Sequence, residues 1–286
     1  MNTAATLPPL PWKRRSNRSV LPGFGLTLGF TLAYLSAIVL IPLAALLLRA
    51  AGLGLGDIWR IVSSERVLNA LWLSFAGALG ATAINAVLGV VLAWVFVRYE
   101  FPGRRLFHAM IDLPFALPTA VAGIALTTVY AANGWLGAPL EAIGIKVAYT
   151  PLGVILAMTF VSLPFVVRTL EPVLAEIDAH MEEAAATLGA SRRQTITRVI
   201  LPLLTPALLT GSALAFARAV GEFGSVIFIA GNIPNVSEIA PLLIFIRLEE
   251  FDYNGAAVVA TAMLAISFVL LLAINLLQHW SRRHAH

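Results

Sequence analysis

Residues Glu182–Leu204 read EEAAATLGASRRQTITRVILPLL, a charged, helix-patterned segment set between two strongly apolar runs. Asp178 suits the cap of a short helix, Glu182 and Glu183 fall in its first turns where the dipole favours acids, and Gly189 suits the left-handed position that stops it. Ser191 and Gln194 then have Ser-x-x-Gln spacing, a capping box that starts a second helix, expected to end near Leu201 because Pro202 follows. The segment thus predicts a helix, a glycine corner and a helix. Two uses of it stay open on these residues: an amphipathic connector lying at lipid headgroups, which Arg192, Arg193 and Arg198 favour, and a joint for another protein.

The chain around this segment is that of a membrane bundle. Its 286 residues are 59% hydrophobic and 12% charged, with a mean hydropathy of +0.87, outside the usual range of soluble domains. The net charge of +4 does not point to nucleic acid, because most arginines flank apolar runs and read as topology signals. There is no cysteine, which excludes disulfides, thiolate metal sites and cysteine nucleophiles.

Crossing a hydrocarbon core of about 30 Å takes roughly 20 apolar residues. Six runs qualify, at about 24–48, 71–97, 107–130, 152–167, 203–230 and 256–277, with a short amphipathic stretch around 57–67. The first is too long for a cleavable signal and reads as an uncleaved anchor. Residues 1–23 and 278–286 are expected as tails, and 178–202 as a connecting loop. With the N-terminus inside, one side collects Lys13, Arg14, Arg15, Arg18, Arg98, Arg104, Arg105, Arg168, Arg192, Arg193, Arg198, Arg282 and Arg283. The other side holds only Arg49, Arg60, Arg66, Lys146 and Arg247, and Arg218 lies within the fifth run. The excess predicts that both termini and the charged segment are cytoplasmic.

The chain cannot be its own motor. A phosphate-binding loop needs Gly-Lys-Ser/Thr, and the two lysines, Lys13 and Lys146, follow Trp12 and Ile145. No His-Glu-x-x-His or Gly-x-Ser-x-Gly pattern occurs, and His180 beside Glu182 and Glu183 reads as loop decoration rather than a metal site.

The spacing Glu183-Ala184-Ala185, Gly189, then Val199-x-Leu201-Pro202 resembles the EAA loop of binding-protein-dependent ABC importers, with Val199 where the family pattern has Ile. The runs IDLPFALPTAVAGIAL (111–126), ARAVGEFGSVIFIAGNIP (217–234) and LLIFIRLEEFDY (242–253) narrow the likeness. Together they resemble the sulfate/thiosulfate permease family (the CysT, or CysU, type), over about residues 25–277. The Arg-Ala-x-Gly-Glu-Phe-Gly element is shared with molybdate and tungstate permeases, the alternative within the class; a secondary anion transporter is the alternative outside it.

The resemblance implies an all-α integral membrane protein of the bacterial inner membrane. The fold implied is a six-span type I ABC importer permease bundle of the MetI-like kind. It implies a subunit that performs no chemistry and binds no cofactor, with ATP and Mg used by a partner. The implied partners are a second related permease, an ATPase dimer and a periplasmic sulfate-binding protein, within a lipid bilayer. It also implies ATPase coupling through Glu183, Ala184, Ala185, Gly189, Val199, Leu201 and Pro202.

For the translocation path, charges inside a bilayer are the guide. Arg218 and Glu222 are one turn apart and share a helix face, either as a salt bridge holding the bundle or a gate, or with Arg218 meeting the anion. Gly221 and Gly224 either loosen the helix or serve close packing. Asp112, with Pro114 and Pro118, marks a kink near the cytoplasmic end of the third run or an interfacial carboxylate.

Overall fold

The computed structural model describes residues 24–283. The expected tail 1–23, with Lys13, Arg14, Arg15 and Arg18, and residues 284–286 lie outside the described residues. Every regular element described is a helix: α1 Phe24–Ala51, α2 Leu55–Val62, α3 Glu65–Arg98, α4 Arg104–Ala116, α5 Thr119–Tyr130, α6 Gly137–Ala142, α7 Pro151–Glu176, α8 Ala179–Thr187, α9 Arg192–Val220, α10 Gly224–Ala230, α11 Ala240–Glu249 and α12 Tyr253–Arg283. Among the described residues five helices are long and apolar enough to cross a bilayer, and six if the bent pair α4 and α5 counts as one span.

The chain divides into two units, 1–46 and 47–286. In the first, α1 is apolar all round and buries none of its side chains up to residue 46, the character of a helix whose solvent is lipid.

In the second unit the core runs between α3, α7, α9, α10 and α11. Lipid gives no hydrophobic push between helices, so close packing at small residues holds them. Val166, fully buried, sits against Gly89 of α3 and Gly211 of α9, where a Cβ at either glycine would crowd it. One turn from Gly89, the buried Asn85 donates to Thr159 O (3.0 Å) and to Ser162 Oγ (2.8 Å), a polar link between α3 and α7 deep in both helices.

Several expected boundaries are corrected. The third run does not cross as one helix: α4 and α5 meet at a bend of 116° at Leu117 and Pro118. Pro114 stays inside α4, so the break belongs to Pro118, whose ring disfavours helical backbone at Leu117. The fourth run, expected at 152–167, extends to Glu176 through Pro164 and Pro172. The tightly packed face of Val154, Ala157, Met158, Val161, Val166, Leu170 and Leu174 continues past both prolines and outweighs their local cost.

The largest correction concerns the opening segment. Its second helix does not stop near Leu201; it is the start of α9 and runs to Val220. A wide π-type turn at Ile196–Ile200, in which Leu201 N–H bonds back to Ile196 O, precedes Pro202 and makes room for a ring that would crowd a regular turn. The same device recurs in α1, where Ser36–Leu40 precedes Pro42 and Ile41 N–H reaches Ser36 O. Arg66 likewise lies in the first turn of α3 and Arg168 inside α7, not in loops. The last helix continues to Arg283, so the described part of the expected tail, residues 278–283, is helical.

Candidate functional site

The segment after α7 forms an elbow. Asp178 accepts the His180 N–H (3.0 Å) and starts α8. At its end Gly189 takes φ +80°, Gly189 N–H bonds Ala186 O and Ala190 N–H bonds Ala185 O, both at 3.0 Å. These two bonds make a Schellman stop, which needs a left-handed residue that glycine alone adopts without strain. Ser191 and Gln194 then cap each other reciprocally, Ser191 N–H to Gln194 Oε1 at 2.8 Å and Gln194 N–H to Ser191 Oγ at 3.4 Å, and open α9.

The elbow is fixed to the bundle at its base. Ile177, Ile196 and Ile200 pack with Ala93, Val166, Leu170 and Leu174. Arg98, the last residue of α3, reaches Glu182 Oε1 at 2.6 Å and lies 5.6 Å from the Trp94 ring centroid. Its outer surface is free: Leu188 is 88% exposed, Glu183 and Ala184 are exposed, and nothing lies within 4 Å of where a Cβ of Gly189 would stand. A groove of about 340 Å³ on this side is lined by Ala185, Leu188, Gly189, Ala190, Gln194, Arg198 and Val199.

The seven expected coupling residues therefore separate. Glu183, Ala184, Gly189 and Val199 belong to the free side, with Glu183 beside His180 (3.3 Å). Ala185 is buried and touches the groove only at its floor. Leu201 and Pro202 are exposed but lie on α9 beyond the corner.

A second constellation lies at the far end of α9, about 39 Å from its first residue at 1.5 Å per residue. Here the helix breaks at residues 221–223 and resumes as α10. Glu222, 1% exposed, accepts from Arg218 at Oε2 (2.7 Å) and from the Ser225 N–H and hydroxyl at Oε1 (both 2.8 Å). One carboxylate thus ties the last turn of α9 to the first turn of α10. Gly224 abuts Thr119 and Ala120, and the backbone of Ser225 abuts Gly123, so the resumed helix packs tightly on α5. Gly221 has ordinary backbone (φ −84°), and a methyl added there would meet nothing closer than 3.8 Å, so neither conformation nor packing requires glycine at this position.

Asp112 has a partner that the sequence did not reveal. Arg168 grips both of its oxygens, donates to Glu171 Oε2 at 2.7 Å and lies 3.3 Å from His108 Nδ1. With the edge-on Phe115–Phe165 contact (5.1 Å) this binds α4 to α7. A third tether, also unforeseen, joins Arg66 to the buried Glu238 through two bonds of 2.8 and 2.7 Å. It fixes the loop between α10 and α11 to the start of α3. No group of three or more His, Asp or Glu suited to a metal occurs among the described residues.

Comparison with known proteins agrees with this architecture. The family described as "Binding-protein-dependent transport system inner membrane component" matches residues 85–285. A probable sulfate transport system permease protein cysT of Chlorokybus atmophyticus is 52% identical over 270 residues, 93% of this chain and 94% of that protein. The sulfate transport system permease protein CysT of Escherichia coli is 49% identical over 263 residues, 92% and 95% of the two chains. Among solved structures, a chain of a bacterial alginate ABC transporter in complex with its alginate-bound periplasmic protein superposes with a TM-score of 0.73 at 18% identity, covering 91% of this chain and 94% of that one. A chain of the MetNI methionine ABC transporter gives 0.53 at 18%, covering 82% and 100%. At such identities these two speak for the fold alone.

Proposed function

The chain belongs to the family of binding-protein-dependent transport system inner membrane components, and on that premise we propose that it is the permease subunit of an ATP-driven importer of sulfate or thiosulfate. It forms half of the path, beside a second, related permease. The importer resides in the bacterial inner membrane, with the elbow on the cytoplasmic side where the arginines collect. Members of this family are non-catalytic; ATP and Mg are used by a separate ATPase dimer, and a periplasmic binding protein delivers the anion.

The observation that carries this reading is the elbow. Its corner is preorganised by local bonds, its base is fastened to α3 and α7, and its second arm is continuous with a membrane span. A push on the free face of α8, at Glu183, Ala184 and Gly189, is therefore delivered to α9 without a flexible joint between. At the other end of α9 lie Arg218 and Glu222, 2.7 Å apart. Their role in this reading is structural: the pair holds the break at 221–223, next to the break at Leu117 and Pro118. Asp112 holds α4 against α7 through Arg168 and takes no part in anion contact.

Uptake of labelled sulfate by cells that lack their own sulfate importer, supplied with this chain and its candidate partners, tests the substrate. Sulfate and thiosulfate should compete with one another, and molybdate should not. Molybdate uptake with no sulfate uptake would reassign the substrate within the family.

A further inference from the structure

We propose that the junction of α3, α8 and α9 holds an anionic phospholipid, with its phosphate between Trp94 and Arg192. A cavity of about 260 Å³ opens there, lined by Trp94, Glu182, Ala186, Arg192, Ile196 and Ile200 among others. Its chemistry is divided in the way a lipid is divided. One wall is apolar (Ile196, Ile200, Ala186), and the other carries charge.

The Arg192 side chain has no ion-pair or hydrogen-bond partner among the described residues, although it lines a cavity that also contains Glu182. Glu182 is answered by Arg98 at 2.6 Å, which leaves Arg192 as the uncompensated charge. Arg98, 5.6 Å from the Trp94 ring centroid, keeps its Nε–H buried without an acceptor, and its 2.6 Å approach to Glu182 is a charge contact rather than a closed hydrogen bond. Arg98 and Glu182 offset one another, so Arg192 leaves the junction with one net positive charge, which suits a phosphate monoanion.

The route for the acyl chains is visible on α3. Val87, Val91, Trp94 and Arg98 follow one another at four-, three- and four-residue steps, hence on one face of the helix. Val87 and Val91 are 67% and 54% exposed, and the apolar track they form leads along that face to Trp94, which lines the cavity. A tryptophan followed one turn later by an arginine is also the order expected where a span meets the headgroups. A soluble anion would use the charged wall and leave this track empty.

An occupied site would bridge the end of α3 to both arms of the elbow. The lipid assignment does not depend on the substrate proposed above. Its test uses the purified full-length chain in detergent with phosphatidylglycerol or phosphatidylcholine, counting retained lipid by native mass spectrometry.

Phosphatidylglycerol should be retained in preference. Arg192→Gln, an exposed change outside the fold's tethers, should weaken retention roughly fivefold, the effect of one basic residue at a lipid surface. Arg192→Gln combined with Arg98→Gln should weaken it roughly twenty-five-fold by the same rule, while Arg105→Gln should alter it less than twofold. Millimolar glycerol phosphate should leave the bound lipid in place. Equal retention of the two lipids, no loss in Arg192→Gln, or an equal loss in Arg105→Gln would overturn the assignment. Displacement by glycerol phosphate would reassign the site to a soluble anion. If the double variant does not fold, Arg192→Gln alone decides.

Discussion

Glu222 accepts Arg218 with one carboxylate oxygen at 2.7 Å and the Ser225 N–H and hydroxyl with the other at 2.8 Å, so a single buried side chain spans the break between two helical pieces. A plain salt bridge survives reversal of its charges; this one does not, because an arginine at position 222 cannot accept from Ser225. The double variant Arg218→Glu with Glu222→Arg is therefore expected to recover little transport. Glu222→Ala should lower stability by about 2–3 kcal/mol, because it leaves the buried Ser225 N–H and hydroxyl without an acceptor, each unmade bond costing about 1–3 kcal/mol. Thermal unfolding in detergent, read beside uptake, checks both, and a reversal variant with near-normal stability would show that the Ser225 bonds carry no weight.

The glycines near that break should respond in opposite ways. A methyl at Gly123 would meet the backbone oxygen of Ser225, which cannot rotate aside, whereas position 221 is open and has φ −84°. Gly123→Ala is expected to separate α5 from α10 and abolish assembly, and Gly221→Ala to leave it nearly intact. Yield of monodisperse protein in size-exclusion chromatography distinguishes them; the reverse order would mean that α5 and α10 do not pack as described.

Sidedness can be read with cysteines in this cysteine-free chain. Ser191 lies in the elbow and is exposed. Ser237, in the loop on the opposite side, is fully buried and donates to Ala230 O at 2.6 Å, so a thiol there would be silent in either orientation. Val236, 49% exposed, is the usable position. An impermeant maleimide on intact cells should label Val236→Cys and spare Ser191→Cys, and labelling of position 191 would invert the topology.

What the sequence made legible here was local. The Asp178 cap, the Gly189 corner and the Ser191–Gln194 box depend on residues within a few positions of one another, and all three formed. Pro202 misled because a proline's cost depends on the shape of the preceding turn, and the π-type turn at Ile196–Ile200 is not written in composition. The pairs Arg98–Glu182, Arg66–Glu238 and Arg168–Asp112 were invisible for a different reason. Their partners are far apart in the chain, and only helix packing brings them together. The same packing exposed Gly123 as the tight contact and turned Ala185 inward, away from the face its spacing suggested.

The elbow is the proposed place at which ATP hydrolysis by a partner is coupled to this chain. At Gly189 any side chain must adopt φ near +80° at a cost of about 1–2 kcal/mol, and a carboxylate there would be carried into the docked face. The direct measurement is ATP hydrolysis by the complex in lipid, with its candidate ATPase and second permease, before and after adding sulfate-loaded binding protein. The wild-type chain should show stimulation by the loaded binding protein, and Gly189→Asp, inserted at normal levels, should show none and lose the ATPase on purification. Full stimulation and intact association in Gly189→Asp would contradict the claim.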